Sequence, residues 1–143
     1  MKVIRRSVKA GWYRTMKKMK VLVVESDMPT AMMMTSLLTQ AEYDVQVATK
    51  GCKGLEIAQE QRFDLILLDT YLPDISSLKI CAELKERHLS YRTPIIFLSD
   101  QHGEAYHEQA LELGVADFIE KPFDAKDFIS RVLSQVNSLT AYA

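Results

Sequence analysis

The sequence predicts a doubly wound α/β domain around a five-stranded parallel sheet, and three observations predict it. Short apolar runs recur along the chain, helix-length amphipathic stretches alternate with them, and polar groups capable of chemistry follow the apolar runs. Continuous apolar runs of four to six residues suit strands covered on both faces, as in a parallel sheet. Five such strands alternating with five helices give this architecture.

The strongest strands are expected at 20–24 (Lys-Val-Leu-Val-Val), 63–68 (Phe-Asp-Leu-Ile-Leu-Leu) and 94–98 (Pro-Ile-Ile-Phe-Leu). Weaker ones are expected at 44–48 and 115–119. The first helix, 29–40, opens on Pro29, where a missing N–H costs nothing. A short helix is expected at 54–61. The next, at 77–87, places Leu78, Cys81, Ala82 and Leu84 at helical spacing. The helix at 104–113 ends at Gly114, a left-handed cap. The last, at 124–136, has Asp124 and Asp127 at capping spacing and Phe128, Ile129, Val132, Leu133 and Val136 on one face.

Length and composition set the outer bounds. The chain has 143 residues, against about 100–150 for a usual domain, so one domain with an appendage is expected. A composition of 48% hydrophobic and 26% charged residues excludes wholesale disorder and fibrous classes. No apolar run approaches the roughly 18 residues that span a membrane. Cys52 and Cys81 form no CxxC motif; they suit a reducing, cytoplasmic setting and are expected as small buried hydrophobes. The run Met32-Met33-Met34 points in three directions on a helix, which predicts core filling plus one exposed methionine rather than a thioether cluster. His88, His102 and His107 lack metal-ligand spacing.

The net charge of −1 hides an asymmetry. Residues 1–20 carry eight basic groups and no acid, while the remaining 123 carry ten basic and nineteen acidic groups, a net of −9. The chain therefore divides into a basic arm (1–19), a domain (20–138) and a short tail (139–143). The arm lacks the apolar stretch of a secretory signal. It suits a solvated extension or contact with a polyanion or an acidic protein, and it carries no nucleic-acid recognition motif.

Ligands of open parallel sheets bind beyond the carboxyl ends of the strands. There the sequence places Glu25-Ser26-Asp27, then Asp69 with Thr70-Tyr71, then Ser99-Asp100, then Glu120-Lys121-Pro122-Phe123. Carboxylates with no histidine or thiolate nearby favour Mg²⁺. Lys121 adds a compact charge suited to a phosphoryl oxygen. Asp69, leaving a wholly apolar strand, is the natural nucleophile, since carboxylates form aspartyl phosphates.

With these residues in order, the chain resembles the receiver domain of two-component response regulators, a flavodoxin-like (βα)5 fold. The motifs are Val21-Leu22-Val23-Val24-Glu25-Ser26-Asp27, Phe63-Asp64-Leu65-Ile66-Leu67-Leu68-Asp69 with Leu72-Pro73-Asp74, Pro94-Ile95-Ile96-Phe97-Leu98-Ser99, and Gly114-Val115-Ala116-Asp117-Phe118-Ile119-Glu120-Lys121-Pro122-Phe123. The resemblance covers about 20–138. It implies Asp69 as phosphoacceptor, Lys121 on the phosphoryl group with a cis peptide before Pro122, Ser99 as a switch hydroxyl and Phe118 as the aromatic that responds to it. It also implies a Mg²⁺ site of Glu25, Asp69 and the Tyr71 carbonyl, with Ser26 and Asp27 as further candidates.

Ser26 replaces the second acid of that pattern, Asp100 replaces a small residue, and Ser77 replaces a glycine. Ser26, a neutral hydroxyl where the pattern has a ligand carboxylate, predicts weak Mg²⁺ binding. The implied function is a single-domain receiver rather than an enzyme, capable at most of its own phosphorylation and dephosphorylation. It would be charged by a histidine kinase or phosphotransfer protein and would signal to a partner protein through the 104–136 face. The alternative is a degenerate receiver that binds partners without phosphorylation. A haloacid-dehalogenase-like phosphohydrolase would want an acid two residues after Asp69, where Tyr71 stands. Gly51 and Gly54 make neither a Walker loop nor a GxGxxG turn.

Overall fold

The computed structural model describes residues 18–87, 93–100 and 103–140, the last three without their side chains. Most of the basic arm and the residues after 140 lie outside the described residues. The elements are β1 (Lys20–Val24), α1 (Met28–Gln40), β2 (Asp44–Ala48), α2 (Gly51–Glu60), β3 (Leu65–Asp69), α3 (Ser77–Glu86), β4 (Ile95–Ser99), α4 (Glu104–Glu112), β5 (Asp117–Glu120) and α5 (Ala125–Thr140). The five strands form one parallel sheet in the order β2-β1-β3-β4-β5. Successive connections wind in opposite directions from β1, so a crevice opens at the carboxyl ends of β1 and β3.

Alternation along the strands divides the core into two layers. Leu22, Val24, Ile66, Leu68, Ile95 and Phe97 face Ile57, Ile80, Leu84 and Ala110 of α2, α3 and α4. Val21, Val23, Leu65, Leu67, Ile96 and Leu98 face Met34 and Leu38 of α1 and Phe128, Val132 and Val136 of α5. Each fully buried aliphatic or aromatic side chain contributes about 1.5–3 kcal/mol.

Several boundaries differ from expectation for local reasons. α2 starts at Gly51 rather than residue 54, because the Asp74 carboxylate accepts from the Gly51 and Cys52 amides, both at 2.9 Å. β5 starts at Asp117, because the Val115 amide is still bonded to the Ala110 carbonyl at the end of α4. Gly114 has φ 88°, the left-handed cap expected of it. α5 continues to Thr140, past the expected 136.

Two burial expectations are corrected. Of the three consecutive methionines only Met34 is buried, and both Met32 and Met33 are exposed, because α1 buries a narrow stripe of Ala31, Met34 and Leu38. Cys81 is buried under α3, but Cys52 is exposed in the first turn of α2.

Candidate functional site

Three strand ends deliver the central residues to one edge. Glu25 follows β1, and its amide still donates to the Ala48 carbonyl of β2 at 3.0 Å. Asp69 ends β3, and the next amide, Thr70, donates to the Leu98 carbonyl of β4 at 3.1 Å. Lys121 follows β5, with its amide on the Ser99 carbonyl at 2.8 Å. The ladder bonds thus run into the site itself and hold its backbone rigidly. The Lys121–Pro122 peptide is cis.

The side chains meet in the crevice. Lys121 Nζ lies 2.8 Å from Glu25 Oε1 and 3.1 Å from Asp69 Oδ1. Glu25 is wholly inaccessible to solvent and Asp69 nearly so. The other Glu25 oxygen accepts from the Asp27 amide at 3.1 Å, and Asp69 Oδ1 also accepts from the Tyr71 amide at 3.2 Å. Burial, reinforced by the neighbouring Asp69 carboxyl, pushes Glu25 up to about 7 against the pull of Lys121 and the Asp27 amide. Burial works against the charge on Lys121, yet its two carboxylate partners prevail and raise its pKa above the ordinary lysine value. Removing one partner of such a buried cluster leaves an uncompensated charge, at a cost of about 3–5 kcal/mol.

A second tier of contacts fixes Asp69. The buried Ser77 hydroxyl, at the start of α3, donates to the Asp69 carbonyl oxygen. The sequence marks Ser77 only as a replacement for a glycine. A small hydroxyl residue at a helix start, eight positions after the acid, is the signal that was available. Ser26 Oγ lies 3.5 Å from the Tyr71 carbonyl oxygen, the outer limit of a hydrogen bond.

The remaining candidates stand apart from this cluster. Asp27 turns away to cap α1, its carboxylate accepting from both the amide and the hydroxyl of Thr30. The Ser99 hydroxyl donates to the Asp100 carbonyl. Phe118 packs edge-on against Phe97, with ring centroids 6.0 Å apart, and stacks face to face with His107 at 4.2 Å. Beyond it lies a cavity of about 730 Å³ between α4, β5 and α5, lined by Ser99, Asp100, His107, Phe118, Glu120 and residues at the start of α5.

The oxygen donors available to a cation are the Glu25 and Asp69 carboxylates, the Tyr71 carbonyl and the Ser26 hydroxyl. Such a set suits a hard ion such as Mg²⁺. It has only two anionic members, and no cluster of three or more His, Cys, Asp or Glu stands among the described residues. Among those residues, no helix is long and apolar enough to cross a membrane.

Comparison with known proteins agrees with this geometry. The family model of the response regulator receiver domain matches residues 21–133. Response regulator ArlR of Staphylococcus saprophyticus is 34% identical over 113 residues, covering 79% of this chain and 50% of ArlR. The chain thus spans about half the length of that relative. A CheY-like response regulator receiver domain protein from Methanospirillum hungatei has a TM-score of 0.83 at 18% identity, over 89% of this chain and all of the other. The receiver domain of a Pseudomonas aeruginosa sensor histidine kinase, solved with a magnesium ion coordinated in its active-site cleft, has a TM-score of 0.76 at 24% identity, over 85% and 99% of the two chains. At these identities the two structures bear on the fold alone. The match over 21–133, most of the chain, places it by sequence: it belongs to the response regulator receiver domain family.

Proposed function

We propose that this chain accepts a phosphoryl group from a phosphohistidine donor, a histidine kinase or phosphotransfer protein, onto Asp69. The observation that carries the reading is the position of Asp69 at the end of a central strand, with the Lys121 ammonium 3.1 Å from its carboxylate. An Asp69 oxygen bonds to phosphorus as the P–N bond to the donor breaks. The leaving histidine nitrogen keeps the electron pair and takes up a proton. Lys121 is the cation positioned to hold a phosphoryl oxygen. Glu25 keeps Lys121 charged and in place, and Ser77 fixes the backbone of the nucleophile. Glu25, Asp69, the Tyr71 carbonyl and Ser26 would hold Mg²⁺, which supplies charge neutralisation of the phosphoryl oxygens.

In this reading Ser99 is the switch hydroxyl and Phe118 its aromatic responder, with a downstream partner binding on the 104–136 face. Ser26 specifically favours a second reading, a receiver that engages partners without phosphorylation, because a neutral hydroxyl there weakens the metal site.

Intact mass after incubation with acetyl phosphate and Mg²⁺ separates the two. An adduct of about 80 Da is expected in the natural sequence and is absent from Asp69→Asn. No adduct, or one that survives Asp69→Asn, overturns phosphoacceptance at Asp69.

A further inference from the structure

The cavity beside Phe118 has an aromatic floor, the stacked rings of His107 and Phe118, and an acidic rim of Asp100, Glu120, Asp124 and Asp127. Among the described residues, its guanidinium, Arg131, is already engaged, with Nη1 at 3.2 Å from both Asp117 oxygens and Nε at 3.4 Å from Asp127 Oδ2. Asp100 and Glu120 have no ion-pair partner among the described residues. This groove matches the chemistry of one segment of the same chain. Residues 1–17 hold six Lys and Arg residues, no acid, and the adjacent aromatics Trp12 and Tyr13.

The point at which that segment joins the domain favours the match. Met19, just before β1, packs against the core layer that includes Val21 and Val23 of β1, Met34 and Leu38 of α1, and Phe128, Val132 and Val136 of α5. α5 runs from that shared layer to the groove, where Asp127 and Arg131 line it. The rise from Val136 to Asp127 is about 14 Å, whereas seventeen residues reach about 56 Å when extended. A tether of this kind supplies an effective concentration in the mM range, so even a weak contact is populated.

We propose that residues 1–17 dock in cis on the groove between α4, β5 and α5, with basic side chains on Asp100 and Glu120 and an aromatic ring over the His107–Phe118 stack. The arm then covers the face assigned above to a downstream partner, and a partner must displace it. The docking itself needs no phosphoryl group, so failure of the adduct experiment leaves it standing.

The test uses the full chain with a nitroxide attached through Ser7→Cys in a Cys52→Ser background, Cys81 being buried. Docking broadens the amide resonances of Glu120, Phe123 and Asp127. The broadening disappears near 1 M salt, where the Debye length is about 3 Å, and in Asp100→Asn/Glu120→Gln. Absence of broadening at these amides overturns the proposal. So does broadening that is lost on dilution with unlabelled protein, which reports contact between copies. A short DNA duplex serves as competitor for the freed arm, and it binds the doubly neutralised variant at least about threefold tighter than the natural sequence. Equal affinity shows that the groove does not hold the arm and overturns the proposal as well.

Discussion

Ser26 is the residue at which this pocket departs most from a strong Mg²⁺ site. Its hydroxyl sits 3.5 Å from the Tyr71 carbonyl, beside two carboxylates already shared with Lys121. Mg²⁺ prefers anionic oxygens in a near-octahedral shell, and changes one layer further out already cost about 10–100-fold in affinity. Ser26→Asp is therefore expected to tighten Mg²⁺ binding by at least about tenfold and to speed Asp69 phosphorylation. A Mg²⁺ titration followed by NMR, with phosphorylation timed in parallel, measures both, and equal affinities refute the expectation. Ser77 acts differently, through the Asp69 backbone. Ser77→Ala strips a buried carbonyl of its donor, at a cost of about 1–3 kcal/mol, read as a lower urea midpoint. That prediction fails if the midpoint is unchanged.

At the scale of elements, α2 depends on a loop far from it in sequence. The Asp74 carboxylate, held down to about 2 by the Cys52 and Gly51 amides, caps the first turn of α2. A carboxylate whose pKa is depressed in the folded state adds stability above its unfolded value, near 3.8, and loses it as pH falls through about 2. Asp74→Ala is expected to cost about 1 kcal/mol near neutrality and to lose less stability than the natural sequence between pH 4 and 2. Denaturation at several pH values checks this. Gly54, on the same helix, lies where an added Cβ would come 2.6 Å from a Val24 methyl. Gly54→Ala is expected to cost about 1–3 kcal/mol by overpacking, despite alanine's better helix propensity, and a stabilised variant would refute it. These contacts also explain what the sequence hides. Apolar runs announce strands to within two residues, because a strand covered on both faces must be apolar throughout. The start of α2 is invisible locally, since its cap comes from residue 74. The Asp27-Met28-Pro29-Thr30 string, by contrast, openly announces a helix cap and so argues against Asp27 as a metal ligand. The strand-end acids and Lys121 are legible one by one, but their convergence depends on strand order, which periodicity does not encode.

At the scale of the molecule, the site and the groove share two strands. β4 carries Ser99 at its end and Phe97 in its middle, and β5 carries Phe118 directly opposite Phe97 in the ladder, with Lys121 just beyond its end. In the proposed reading, a phosphoryl group on Asp69 would draw on Lys121 and on the Ser99 hydroxyl, which rests on its own neighbour's carbonyl. A rotation of Ser99 would change the space beside Phe118, whose ring contacts those of Phe97 and His107. His107 belongs to α4, so in that reading the disturbance would pass from the pocket to the groove through three stacked or edge-packed rings. On the other half of the sheet, among the described residues, Asp27 closes locally on Thr30 and α2 is pinned by Asp74. Binding of beryllium fluoride as a phosphoryl mimic, with Mg²⁺, is therefore expected to alter amide hydrogen exchange in residues 104–113, 115–119 and 124–136. Residues 29–61 should change little. Exchange that changes only in residues 29–61 would show that the signal leaves through α1 and α2, and the ring relay would have to be abandoned.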